Sequence, residues 1–138
     1  MSSSYEEVFD EFTDRELVSL LKEQDYENVE IIKSGVIKFR HDSMIYIIDN
    51  SYDDGSIDVF MIFDDIDMSF KEMNRWNAEK RFVSVHKDDD GKVCLKMSLE
   101  SGITEAYLIE SIKRFIALQT VFSLRELAHV ASLLKMFK

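Results

Sequence analysis

Two hydrophobic periods alternate along the chain, and the switches between them mark its elements. Leu17, Leu20 and Leu21 recur at helical spacing behind Thr13 and Glu16. That Thr/Glu pair has the form of a capping box, in which each side chain satisfies a free amide of the first turn. A helix is therefore predicted from Thr13 to about Gln24. Ahead of it, Tyr5, Val8, Phe9 and Phe12 also recur at helical spacing, which predicts a short amphipathic helix after a frayed Ser2 to Ser4.

Near Asn28 the period shortens to two, the period of a strand. Val29 and Ile31 open a β region, and Ser34-Gly35 reads as a tight turn. Val36 to Arg40 and Met44 to Asp49 read as strands around His41-Asp42-Ser43. Tyr52 to Ser56 is a polar turn containing Asp-Gly, a hairpin signal because both residues tolerate positive φ. Ile57 to Phe63 follows as a strand with one apolar face (Ile57, Val59, Met61, Phe63) and one mixed face (Asp58, Phe60, Ile62).

Ser69 is placed to cap a helix from Phe70 to about Lys80. Phe82 to Lys87 and Lys92 to Leu99 read as two strands joined by Asp88-Asp89-Asp90-Gly91. Thr104 then caps the longest helix, on which Leu108, Ile112, Phe115, Gln119 and Phe122 keep the helical period. No breaker interrupts that helix, so it is expected to continue through Leu127, Ala131 and Leu134, with Ser123 a place for a kink or second cap.

Hairpin links make the sheet antiparallel, and a sheet with one apolar face needs a helical layer on it. The expected fold is α+β: a two-layer sandwich with an antiparallel sheet of about five or six strands, helices on one face and a long C-terminal helix. The expected organisation is one domain over residues 1–138, with a C-terminal helical extension at 123–138.

Composition narrows the function classes. Hydrophobic residues make up 46% of the chain and aromatics 12%, which suits a packed core rather than disorder. The net charge of −10 is unevenly placed: residues 1–70 carry 18 acids and 5 bases, residues 71–138 carry 9 acids and 12 bases. Such a surface repels nucleic acid and anionic membrane, so neither is expected as a partner. No apolar run approaches the roughly 20 residues of a membrane span. The single Cys94 has no intramolecular partner, and the acidic N-terminus lacks the apolar core of a signal peptide, which together suggest a cytoplasmic protein.

The candidates for chemistry fall one by one. In a calcium loop with Gly55 sixth, the twelfth position is Met61; with Gly91 sixth it is Met97, so both loops lack the bidentate acid. His41, His86, His129 and Cys94 include no close His pair and are too few for zinc. His86 and Cys94 could meet across the second hairpin, but no third group is in view to orient them for nucleophilic catalysis. The four glycines are scattered and form no phosphate cradle. Asp64, Asp65 and Asp67 offset the dipole of the helix that follows them. Met61, Met68, Met73 and Met97 read as core filler. No catalytic residue, metal or cofactor is expected, and the chain reads as a binding module, not an enzyme.

The most distinctive stretch is Asn74-Arg75-Trp76-Asn77-Ala78-Glu79-Lys80-Arg81-Phe82. Trp76 is the largest apolar group available to pin helix to sheet, Asn77 can satisfy backbone groups at the turn, and Phe82 is expected to open the inward face of the next strand. Asp90-Gly91, Gly102 and Phe122 follow in order. In these positions (Asn74, Trp76, Asn77, Arg81, Phe82, Asp90, Gly91, Gly102, Phe122) the chain resembles the YbjN family, labelled bacterial sensory transduction regulators. The resemblance extends more loosely upstream to Thr13. It implies a fold similar to type III secretion chaperones, usually dimeric, which hold partly unfolded client segments. The C-terminal segment from Ser123 departs from the family pattern. The resemblance implies a protein or peptide partner and a homodimer, with Phe60, Ile62, Phe115 and Phe122 as candidate partner contacts through strand addition or an apolar groove. The alternative is a small-ligand-sensing regulatory domain.

Overall fold

The computed structural model describes residues 7–64 and 66–136, with side chains described as far as Ser123. The expected positions Tyr5, Asp65, Leu127, His129, Ala131 and Leu134 lie outside the described side chains.

The capping box forms as predicted. Thr13 N–H donates to Glu16 Oε1 at 3.0 Å and Glu16 N–H donates to Thr13 Oγ1 at 3.1 Å, opening α1 (Asp14–Glu23). The segment before it is not a helix. Val8–Phe9 forms a two-residue strand, β1, antiparallel to a second short strand at Ile103–Thr104. The apolar residues there serve packing instead of a helical stripe: Phe9 stacks on Phe12, and Phe12 is buried. The segment also lies across the Tyr52–Ser56 turn. A Cβ at Gly55 would run into the Asp10 carbonyl, so this position needs glycine for clearance as well as for its φ of 80°.

A six-stranded antiparallel sheet follows, from β2 (Glu27–Lys33), β3 (Val36–His41), β4 (Met44–Asp49), β5 (Ile57–Phe63), β6 (Ser84–Lys87) and β7 (Val93–Leu99). Its spatial order is β2-β3-β4-β5-β7-β6. Asp42 and Ser43 both take positive φ and close the β3–β4 hairpin in two residues. Between β5 and β6 stands α2 (Phe70–Glu79), capped by Ser69, whose Oγ accepts from Glu72 N–H. The two-residue strand Ile103–Thr104 is β8, and α3 (Glu105–Met136) follows. Thr104 caps α3, its Oγ1 accepting from Tyr107 N–H.

One apolar cluster joins the helices to one face of the sheet. It takes Ile37 and Phe39 from β3, Tyr46 and Ile48 from β4, and the inward residues of β5 and β7. Above them sit Leu17, Leu20 and Leu21 of α1, Met73 and Trp76 of α2, and Leu108, Ile112, Phe115 and Phe122 of α3. The four methionines read as core filler are all buried. Aromatic rings run through this layer: Phe39 stacks on Tyr46, Tyr46 meets Phe115 edge-on, and Phe122 contacts both Phe63 and Trp76. One polar pair lies inside, where Tyr46 Oη donates to Gln119 Oε1 at 2.8 Å. Gln119 Nε2 in turn donates to Ser123 Oγ, so the buried amide is satisfied at both ends.

Candidate binding surface

Among the described residues, the sheet's other face carries none of those to which the helices pack. Strand alternation sends Val36, Lys38 and Arg40 to it from β3, Ile45 and Ile47 from β4, and Asp58, Phe60 and Ile62 from β5. Cys94, Lys96 and Ser98 come from β7, and Ser84 and His86 from β6. Register joins them into rows. One row runs Lys38, Ile47, Phe60, Lys96, Ser84; another holds Ile62, Cys94 and His86 side by side. Ile45 is 41% exposed and Ile62 40%, while Ile47 and Phe60 are half-buried. The centre of this face is therefore apolar, and cations flank it on both sides.

At one end of the apolar centre lies a carboxylate that alternation alone did not single out. Asp58 is buried to 7% exposure. Its Oδ2 accepts from Tyr52 Oη and its Oδ1 from Ser98 Oγ, both at 2.6 Å, and Lys96 Nζ stands 3.7 Å away. The bond to Asp58, with some desolvation, pushes the Tyr52 phenol up to about 12, so it remains a donor through the neutral range. Both oxygens of this carboxylate have a partner. An acid set between Ile57 and Val59 was the sequence signal for it, and register alone brings Ser98 opposite.

His86 and Cys94 do face each other across the β6–β7 ladder. Burial pushes the Cys94 thiol up to about 11 and holds His86 below its ordinary value, with Lys96 adding to the depression. Both shifts oppose the thiolate–imidazolium pair that a cysteine nucleophile needs. Among the described residues no group of three or more His, Cys, Asp or Glu side chains could hold a metal. Asp64 pairs with Lys92 at 2.7 Å across the β5–β7 end of the sheet. The Asp88 carboxylate is taken up by its own turn, with Oδ1 accepting from the Asp90 and Lys92 amides.

The two candidate partner contacts on α3 are corrected by burial. Phe115 is 0% and Phe122 1% exposed, because the stripe they belong to faces the sheet. Phe60 and Ile62 remain on the open face. The Trp76 segment is also clear in its roles. Trp76 is buried against Phe122, and its Nε1 donates to the Val83 carbonyl at 3.2 Å. Asn77 accepts from Val85 N–H at 2.7 Å and donates to the Val85 carbonyl at 2.9 Å. Asn74 and Arg81 are exposed. Phe82 does not open the strand. It precedes β6, half-buried under the Arg114 guanidinium of α3 at 4.3 Å, and Val83 takes the buried position instead.

Two hollows among the described residues bear on ligand binding. The apolar seam between α1 and α3, lined by Leu17, Leu21, Tyr26, Ile48 and Ile112, encloses about 10 Å³. That is space for a single water at most, far short of a ligand site. A depression of about 280 Å³ opens where β2 bulges away from β3, among Asn28, Glu30, Lys38, Arg40 and Ile45. It is shallow, and Lys38 there is already paired to Glu30 at 3.1 Å. No helix of the described residues is long and apolar enough to cross a membrane. No family model, curated protein or solved structure matches the chain.

Proposed function

We propose that this chain is a non-enzymatic protein-binding module, a chaperone or adaptor that works as a homodimer and holds a protein or peptide segment on the open face of its sheet. The observation that carries this reading is the apolar centre formed by Ile45, Ile47, Phe60 and Ile62. These residues sit together on a face to which the described helices do not pack. Apolar side chains gathered on one surface mark interaction sites more often than scattered ones do. Of the flanking cations, Lys38 and Lys96 already stand beside Glu30 and Asp58, and Arg40 suits a partner segment that sets an acid next to apolar residues. The YbjN resemblance, with its type III secretion chaperone-like fold, points the same way and is the ground for the dimer.

The test is affinity capture from native host lysate with the wild type and with an Ile45→Asp/Ile62→Asp double variant, recording the mass of each in solution. A stoichiometric protein held by the wild type and lost from the folded variant supports the reading. A partner held equally by both moves the binding site off this face. The small-ligand-sensing reading rests on the depression beside the β2 bulge. A metabolite retained through native purification, with no protein captured, would favour it.

A further inference from the structure

We propose that the carboxamide of Asn77 stands in for a neighbouring strand at the β6 edge, and that this keeps β6 from pairing with β6 of a second copy. β6 ends the sheet beyond β7, so among the described residues no strand lies beside the other side of its backbone. In an antiparallel pair, the N–H and C=O of one residue point to the same neighbour. Val85 stands opposite Leu95, yet both its polar groups go to Asn77. They therefore point away from β7, into the position a seventh strand would occupy. A side-chain amide offers one acceptor and one donor, the same pair a strand residue presents.

Helix α2 caps one further backbone group before Val85 and adds a side-chain contact after it. Trp76 takes the Val83 carbonyl, two residues before Val85, and Lys87, two residues after it, lays its ammonium 5.0 Å over the Phe70 ring. The odd-numbered residues from Val83 to Lys87 are thus each met by α2. The opposite edge is protected by other means. β2 carries two register shifts and takes Asn28 to a φ of 51°, and bulges of this kind bend an edge out of a flat pairing geometry.

The occupant of an opened β6 edge would be a second β6. An antiparallel pair about a two-fold axis through Val85 sets the same donor and acceptor against themselves, which is the self-complementarity a symmetric contact requires. This inference stands whether or not a partner binds the open face.

The experiment compares wild type with Asn77→Ala and Asn77→Asp, following the Val85 amide by hydrogen exchange and the mass in solution across a concentration series. The wild-type Val85 amide should be protected. In Asn77→Ala it should exchange at least about tenfold faster in dilute solution, and the protein should move toward twice the wild-type mass as concentration rises. Asn77→Asp keeps the acceptor for Val85 N–H, so its amide should stay closer to wild type. A folded Asn77→Ala with wild-type mass and a protected Val85 amide overturns the proposal. If that variant does not fold, the same readings on Asn77→Asp decide: loss of the donor alone should give measurable association, and wild-type mass throughout rejects the proposal.

Discussion

The two faces of the sheet are built from the same strands, yet they obey different rules. On the helix-covered face every strand from β3 to β7 contributes apolar residues, and Ile37, Phe39, Val59 and Leu95 are wholly buried. On the open face the same strands mix isoleucine and phenylalanine with lysine, arginine and aspartate. A face that only meets water needs no Ile45, Ile47, Phe60 or Ile62 together. A face that belonged to the core would not keep Lys38 and Lys96. The difference teaches where stability resides: burial against helices sets the fold, and the mixed face is the part the proposed binding role would use.

The largest expected effect tests that division directly. Trp76→Ala should cost about 3–5 kcal/mol, the range for truncating a large buried aromatic, because it empties the space against Phe122 and releases the Val83 carbonyl. Phe60→Ala, half-buried on the open face, should cost about 1 kcal/mol. Denaturant unfolding of both variants measures the two. Equal costs would mean that something covers the open face in solution and that the comparison fails.

Much of this was legible in the sequence, and the parts that were not have identifiable causes. The inner face was readable because period-two apolar residues on β5 and β7 had to meet the stripe of α3, and the Thr13–Glu16 box fixed where α1 begins. The N-terminal segment misled because Val8, Phe9 and Phe12 fit a helical period over too few residues. What orders them is a tertiary contact, the pairing with Ile103–Thr104, and local spacing cannot reveal it. The resemblance-based binding reading offers Phe115 and Phe122 as partner contacts, although their spacing with Leu108 and Ile112 already places them on the buried stripe. Of the open face, Asp58, Phe60 and Ile62 were legible as one side of β5. Ile45 and Ile47 join them through the β3–β4–β5 register, and register between strands is not written in any one strand. Asn77 was readable as a residue that satisfies backbone groups, but not as one that closes a sheet edge, because the order of strands decides which backbone groups are left over.

A second, smaller contrast lies in the two tyrosines. Tyr46 is buried and its hydroxyl supplies Gln119, whereas Tyr52 is 44% exposed and supplies Asp58. Tyr46→Phe removes the donor to a buried amide oxygen that water cannot easily reach, and should cost about 1–3 kcal/mol. Tyr52→Phe leaves Asp58 with the Ser98 donor and with Lys96 near the vacated oxygen, and should cost less than about 1 kcal/mol at neutral pH. Thermal or chemical unfolding of the pair measures the contrast. The reverse order would place the more consequential hydroxyl on the open face and make the Asp58 cluster a structural centre.

The smallest effect separates the faces by pH. His86 lies on the open face, and burial together with Lys96 holds its pKa below the ordinary histidine value. The unfolded chain then binds a proton more readily than the folded one as pH falls below about 6.5, so stability is unaffected above that point and declines below it. His86→Gln should flatten this part of the acid limb by a fraction of a kilocalorie per mole per pH unit while leaving stability at pH 8 nearly unchanged. The measurement is the denaturant midpoint of both proteins from pH 8 to pH 5. A steeper acid decline in His86→Gln would reverse the sign, meaning that the imidazole gains more from Asp88 on protonation than it loses to Lys96 and burial. The open face would then become firmer, not weaker, as the solution is acidified.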